Sequence, residues 1–295
     1  MVTTPALVLV AHGTRSARGV EMIAALAEAV AAELRAPARG SAELGSVRQL
    51  SREFGAAVSG RGAAAVHRCG GSEAVTPARE CCAVVREPES PAVRTAFVDV
   101  LGPSPSEVLR DLHAGPEAVP AVVVPAFLAS GYHVYQDVPR EVTESSHPAA
   151  VVTPAMGPDP ALARIMALRL RAAGWRPGDA VVFAAAGSSD ARARHDVRRA
   201  AAMLTDHLGA PVRIAYVATG TPRVPEVVAD LRDSGAGRVF IASYLLAQGL
   251  FQQRLHDAGA DGVAEPIGVH PAVVRLIADR YRTAARDLTQ ARSAS

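Results

Sequence analysis

The chain is an internal repeat, and this repeat is the feature that most limits how it can fold. Four segments of the first half recur in the same order in the second half. The matching pairs are residues 7–15 with 181–189, 94–112 with 213–231, 121–133 with 238–251 (one residue longer in the second copy) and 160–171 with 271–282. Self-similarity on this scale indicates two copies of one structural unit in a single chain.

Each copy alternates short β-branched runs with amphipathic stretches, a pattern typical of βαβ units. The predicted strands cover residues 7–11, 94–98 and 119–125, and the predicted helices cover 19–35, 105–112, 159–173, 190–208 and 271–288. The pattern predicts an α/β fold of two similar domains, each a parallel sheet flanked by helices. We expect residues 1–146 to form the first domain and 147–295 the second, with the terminal helix free to cross to the other half.

The repeat also reveals an insertion in the first copy. His12 and Asp99 are 87 positions apart, whereas their counterparts Ala186 and Ala218 are 32 apart, an excess of 55. We place the insertion at about residues 36–92 and interpret it as a surface excursion. It carries one histidine and all three cysteines of the chain: His67, Cys69, Cys81 and Cys82. A zinc or iron–sulfur site there is less favoured than ordinary reduced cysteines, because the spacing matches no strong metal-binding pattern.

Composition excludes several classes of function. The net charge is +2, and aromatic residues make up only 4% of the chain, which gives no support for nucleic-acid binding. The chain contains no lysine, so its permanently charged basic side chains are all arginines, and guanidinium groups suit carboxylate ligands. Apolar runs fall short of the roughly 20 residues that span a bilayer, and a basic leader is missing from the start of the sequence. We therefore expect a cytoplasmic protein that does not bind membranes.

Three polar residues of the first copy follow successive predicted strands. His12 ends the first strand, Asp99 ends the second, and His133 lies in the loop after the third. Because parallel strands present their carboxyl ends at one edge of a sheet, these side chains are expected to converge. Two imidazoles and a carboxylate suit a divalent first-row metal. The second copy has residues that cannot bind metal at the same positions: Ala186, Ala218 and Phe251.

Three motifs of the first copy are similar to those of a known family. The turn AHGTR, the strand end AFVD followed by GPSPSEVL, and the block VVVPAFLASGYHVYQDVP resemble the sirohydrochlorin chelatases of the CbiX/SirB type. These are class II, ATP-independent chelatases with two α/β domains built by duplication. The resemblance implies that His12, Asp99 and His133 surround the metal. The family often has glutamate where Asp99 stands, and its compact members lack the insertion.

The resemblance implies insertion of a divalent metal into sirohydrochlorin without ATP. Iron would give sirohaem, and cobalt would give a precursor of cobalamin. His12 and His133 are the expected catalytic residues, with His133 as the general base for the pyrrole protons. Arg15 is either a clamp for a substrate carboxylate or an ordinary surface arginine, and Ser130 and Gly131 are expected to let their loop approach the macrocycle. Since both copies lie in one chain, we expect a monomer.

Two other functions stay open at this point. A carrier of metal or tetrapyrrole would use the same binding residues without accelerating metal insertion. A histidine phosphatase or mutase also has a histidine and glycine after its first strand. That class requires an arginine directly before the histidine, where this chain has Ala11, so it is the less favoured alternative.

Overall fold

In the computed structural model of the protein, the structure describes residues 3–36, 90–115 and 118–293, all of which belong to one compact unit. Most of the predicted insertion, with His67, Cys69, Cys81 and Cys82, lies outside the described residues. The hypothesis of a second metal site there stays a prediction.

The described residues alternate strands and helices throughout. The first half contains β1 (Ala6–His12), α1 (Ala17–Arg35), β2 (Val93–Val98), α2 (Pro105–His113), β3 (Ala121–Pro125), a π-helix (His133–Asp137), α3 (Val138–Ser145), β4 (Ala150–Val152) and α4 (Pro160–Ala172). The second half contains β5 (Ala180–Gly187), α5 (Ala191–Leu208), β6 (Val212–Thr219), α6 (Val224–Asp233), β7 (Val239–Tyr244), α7 (Leu250–His256), β8 (Gly262–Val263) and α8 (Pro271–Ser293). Among all the described residues of both halves, no helix combines the length and apolarity needed to cross a membrane.

The strands form two parallel sheets of the same topology. The first sheet has the order β2-β1-β3-β4 and the second has the order β6-β5-β7-β8. The central pairs have the same register, since Ala6 pairs with Ala121 in the first sheet and Ala180 pairs with Val239 in the second. The pairing of β5 with β6 has a register shift between Ala185 and Gly187 that the pairing of β1 with β2 does not have. The α/β fold with two similar sheets is therefore confirmed. The extra residue predicted for the third repeated segment is wrong. Because Ala121 corresponds to Val239, residues 121–133 match residues 239–251, and the two segments have equal length.

Strand β1 shows why these apolar runs form buried parallel strands. Its residues from Ala6 to Ala11 are buried, because both faces of the sheet are covered by helices. Leu7 and Leu9 belong to a large core that includes residues of both halves. Val8 and Val10 point to the opposite face and pack in a smaller cluster with α2. An unbroken hydrophobic run thus supplies two cores at once, and places its first polar residue, His12, at the strand end.

The two halves exchange a helix. α4 follows the first sheet along the chain but packs against α5 and β7, whereas α8 packs against α1 and β3. The hydroxyl of Tyr281 in α8 donates to the carbonyl oxygen of Pro5 at 2.6 Å. β4 pairs with β3, although the predicted domain boundary after residue 146 separates them. The division of the chain at that point therefore stays a proposal.

Candidate metal centre

His12 is held at the edge of the first sheet by the turn that follows it. It is the last residue of β1, pairs in register with Val98 of β2, and is exposed. The N–H of Gly13 donates to the carbonyl oxygen of Val98 at 3.0 Å. A Cβ atom on Gly13 would lie 2.4 Å from the carbonyl oxygen of Asp99, so a side chain larger than hydrogen has no room there. Glycine thus allows the turns after β1 and β2 to touch, which brings Asp99 towards His12.

Asp99 lies in an unusual turn after β2. The φ angles of Asp99 and Val100 are 64° and 51°, both in the left-handed region. This conformation costs a non-glycine residue roughly 1–2 kcal/mol, and for a β-branched residue such as valine it is a clear outlier. Asp99 does not cap the next helix, because Ser104 accepts a hydrogen bond from the N–H of Glu107 at 3.3 Å. Strain of this kind tends to be kept at functional sites.

His133 comes close to His12 from the third strand. Their ring centroids are 5.0 Å apart. His133 begins a π-helix, an element found mostly as short insertions and often at functional sites. Its ring lies parallel to that of Phe127, with centroids 6.1 Å apart and an interplanar angle of 20°. The structure thus brings together two of the three residues predicted from sequence, at the carboxyl ends of β1 and β3.

The pKa of His12 is lowered from its ordinary value. Although the ring is accessible, the surrounding protein displaces water from the charged form, and this desolvation is the largest cause. The neighbouring His133 lowers the pKa further, and the carboxylate of Asp99 raises it in part. A pKa below the ordinary value keeps the imidazole neutral at neutral pH. Neutral imidazole is the form that binds a metal ion.

The third predicted ligand is close but does not complete a cluster. Asp99 lies near enough to His12 to affect its pKa, and one of its carboxylate oxygens accepts from the N–H of Val100 at 3.1 Å. Across residues 3–36, 90–115 and 118–293, no group of three or more His, Cys, Asp or Glu side chains is arranged to hold a metal ion. The participation of Asp99 in a three-residue metal site therefore stays a prediction.

The residues predicted to contact substrate have different surroundings. Arg15 is exposed in the turn between β1 and α1. The N–H of Ser130 donates to the carboxylate of Asp196 in α5 at 2.9 Å. A Cβ atom on Gly131 would lie 3.3 Å from the Cβ of Ala193. This loop therefore packs on the second half, which gives Gly131 a reason for its small size apart from contact with a macrocycle. The substrate role of all three residues stays a prediction.

Two acidic residues of the site were missed by the sequence reasoning. Asp137 lies 2.6 Å from Nδ1 of His133, and Asp196 holds the loop that carries His133. The first had a local signal, since His133 and Asp137 are four residues apart in GYHVYQD and such residues share one side of a helix. The second had none, because its partner is 66 positions away.

The corresponding strand ends of the second half are filled differently. The sequence repeat equates His12 with Ala186 and Asp99 with Ala218, and the registers agree up to the preceding residue, since Ala11 pairs with Phe97 and Ala185 pairs with Tyr216. The guanidinium of Arg223 donates to the carbonyl oxygen of Val217 at 3.3 Å and also to that of Ala218. A cation of the protein itself thus occupies the end of β6.

Comparison with known proteins agrees with this fold. The family model CbiX matches residues 70–173 and 180–284, so β1 and His12 lie before the first matched stretch. SirB from Bacillus subtilis with Fe³⁺ superposes with a TM-score of 0.67 and 20% identity, over 96% of each chain. The sirohydrochlorin chelatase SirB from Bacillus subtilis subspecies spizizenii in complex with cobalt gives a TM-score of 0.63 at 18% identity, again over 96% of each chain.

A third solved structure is similar over nearly its whole length. It is CbiX, the terminal enzyme for biosynthesis of siroheme in denitrifying bacteria, with a TM-score of 0.56 and 21% identity. The match covers 95% of this chain and 99% of that one. No curated protein sequence matches the chain. At these identities, the structural matches establish a common fold.

Proposed function

This chain belongs to the CbiX family, whose model matches both of its halves, and we propose that it is a sirohydrochlorin chelatase that inserts a divalent metal ion without ATP. The observation that carries the proposal is the pair formed by His12 and His133, whose ring centroids are 5.0 Å apart at the carboxyl ends of parallel strands. The SirB structures that share the fold were solved with iron and with cobalt. The metal substrate is therefore Fe²⁺ or Co²⁺, which accept the same nitrogen ligands.

The chemistry assigned to this pair follows from its charge state. The lowered pKa of His12 keeps a nitrogen lone pair free to take up the metal ion at neutral pH. As the ion enters the macrocycle, two pyrrole nitrogens must each lose a proton. We assign His133 as the base that accepts one of these protons after its metal ion has passed to the macrocycle, because it lies beside His12 with part of its ring accessible; the second proton passes to water. General-base assistance of this kind contributes about 10²- to 10⁴-fold to a rate.

The remaining residues receive supporting roles in the proposal. Asp99 is assigned as the third metal ligand, because its carboxylate lies near enough to His12 to affect the pKa of that residue. Arg15 is exposed in the turn three residues after His12 and is assigned to a carboxylate of the polycarboxylate substrate. Since both copies of the domain lie in one chain, we expect a monomer, and we propose a cytoplasmic location.

One assay tests the function directly. Purified protein is mixed anaerobically with sirohydrochlorin and Fe²⁺ or Co²⁺, and the absorption change of the macrocycle is followed. We expect a rate well above the protein-free control and a loss of at least about 100-fold in His12→Ala. His270→Asn is the matched control, because this histidine accepts from the N–H of Ala272 at the start of α8 and an asparagine can do the same.

Two outcomes would contradict the proposal in different ways. A rate equal to the protein-free control would exclude a chelatase. Binding of both metal and macrocycle with no faster insertion would instead identify a carrier, the main alternative.

A further inference from the structure

His133 and Asp137 form a close pair that the proposed reaction does not yet use. Nδ1 of His133 lies 2.6 Å from one carboxylate oxygen of Asp137. The other carboxylate oxygen forms an ion pair with the guanidinium of Arg140 at 3.1 Å. The Asp137 side chain is only 13% exposed, whereas that of His133 is 37% exposed. The carboxylate is therefore the more enclosed member of the pair, while the ring is partly accessible and lies 5.0 Å from that of His12.

We propose that Asp137 is a positioning residue for His133, which fixes the tautomer and orientation of its imidazole so that Nε2 is presented to the metal ion. This inference rests on the proposed function. A carboxylate can only accept hydrogen bonds, so Nδ1 of His133 must be the donor in the pair. In a neutral imidazole the lone pair is then on Nε2, the nitrogen away from Asp137. Carboxylates that hold a metal-binding histidine in this way fix the tautomer and the orientation of its ring.

A purely structural role for Asp137 explains less of what is seen. Asp137 is the last residue of the π-helix, which runs directly into α3, and its backbone is helical (φ −69°, ψ −50°). It therefore lacks the extended backbone of a helix N-cap, and its side chain caps no backbone N–H. One carboxylate oxygen instead pairs with His133, and the other pairs with Arg140. Arg140 is 56% exposed, and an ion pair with so exposed a partner contributes little stability.

The second half provides an internal comparison for this pair. Ala121 corresponds to Val239 by strand register, which makes Phe251 the counterpart of His133 and Leu255 the counterpart of Asp137. Leu255 is fully buried. The half that lacks the histidine thus also lacks its carboxylate partner, and it has a regular α-helix, α7, in place of the π-helix. If the function of Asp137 is to position His133, a half without the histidine is expected to lack the aspartate as well.

The first measurement is made without metal or macrocycle. Long-range proton–nitrogen NMR spectra at neutral pH report which ring nitrogen carries the proton, and the His133 signal is assigned by its absence in His133→Phe. In the wild type we expect the proton on Nδ1. In Asp137→Leu, which installs the residue of the second half, we expect the proton to move largely to Nε2 or to be shared. An unchanged Nδ1–H tautomer would overturn the proposal.

The second measurement uses Co²⁺ alone, followed by its visible absorption, and then the full reaction. In Asp137→Asn we expect Co²⁺ affinity to fall about 10- to 100-fold, and kcat to fall by a similar factor while KM for sirohydrochlorin is retained. Asp137→Asn is nearly isosteric with the wild type, so it tests the role of Asp137 even if Asp137→Leu does not fold. Glu144→Gln removes a carboxylate two turns further along the chain and should leave Co²⁺ binding and kcat unchanged.

The two proposals fail in different ways. A wild type that inserts no metal would overturn the chelatase function. The NMR measurement of the His133 tautomer would still test whether Asp137 fixes that ring. A wild type that inserts metal, with Asp137→Asn equal to it in Co²⁺ affinity and kcat, would overturn the role of Asp137 alone.

Discussion

The two halves of this protein share a backbone and differ at the ends of their strands. In the first half, His12 ends β1, and Asp99 and Val100 have left-handed φ angles of 64° and 51°. In the second half, the positive φ near the end of β6 belongs to a glycine, Gly220, at 112°. The guanidinium of Arg223 fills the space beside that strand. One half therefore combines polar residues with a strained turn, and the other has relaxed that turn and holds an internal cation.

The second half nevertheless contributes to the candidate site. Asp196 accepts from the N–H of Ser130 at 2.9 Å, and the hydroxyl of Tyr244 donates to the carbonyl oxygen of Leu128 at 2.7 Å. The guanidinium of Arg192 stacks 4.1 Å from the ring centroid of Tyr135. These contacts hold the loop that carries His133 on both of its sides. The half without predicted metal ligands thus supports the half that has them.

Exchange of equivalent residues gives the largest expected effect. His133→Phe installs the residue of the second half and should reduce the chelation rate by at least about 100-fold, because it removes both a ligand and a base. Phe251→Ala changes the equivalent position of the second half and should stay within about threefold of the wild type, since it removes no proton acceptor. Steady-state assays with sirohydrochlorin compare the two. A comparable loss in Phe251→Ala would mean that both strand ends take part in the reaction.

A smaller effect is expected where the second half holds the loop. Asp196→Ala leaves the N–H of Ser130 without its acceptor, which should lower the free energy of unfolding by about 1–2 kcal/mol. We also expect about a tenfold loss of kcat, since small displacements of a positioned group are costly. Urea denaturation and the chelation assay measure the two changes.

Two further variants of this contact separate its causes. Asp196→Asn keeps an acceptor and should recover most of the stability. Arg199→Ala removes an exposed ion pair of 3.8 Å with Asp196 and should change the free energy of unfolding by less than about 0.5 kcal/mol. If Asp196→Ala lowers the free energy of unfolding by the full expected amount but leaves kcat unchanged, the loop keeps its place without this support.

The smallest effect is expected at the strained turn. Val100 is 50% exposed, so Val100→Asn loses little packing and introduces a residue that tolerates the left-handed region. We expect the free energy of unfolding to rise by about 0.5–1 kcal/mol. In the second half, Gly220→Ala should instead lower the free energy of unfolding, because a Cβ there would lie 3.1 Å from the ring of Tyr216. Destabilisation in Val100→Asn would show that the turn is not strained at this residue.

Much of the fold could be predicted from the sequence because its signals are local. The apolar run of β1 and its repeat at β5 indicated buried parallel strands, and α1 ends at Arg35 as predicted but begins at Ala17, two residues earlier than predicted. The meeting of His12 and His133 followed from the geometry of parallel sheets. β4 was missed, since its three residues are only partly buried or exposed and have little hydrophobic pattern.

Other features depend on contacts between distant parts of the chain. The support of Ser130 by Asp196 needs α5 to lie against the loop after β3, which no local spacing indicates. The left-handed φ of Val100 contradicts the preference of a β-branched residue and is imposed by its surroundings. Residue patterns set where the strands end, and tertiary packing sets what each strand end then contacts.

The exchanged helices give this duplication a wider meaning. Because α8 covers α1 and β3, and α4 covers α5 and β7, the two halves are related as two subunits of a symmetric dimer that have swapped a helix and become one polypeptide. In a dimer of identical chains, every substitution appears twice, so a ligand can never be lost from one subunit alone. Fusion removes that constraint. Ala186 and Phe251 can therefore stand in one half while His12 and His133 stand in the other, and one half can serve as the scaffold of the other.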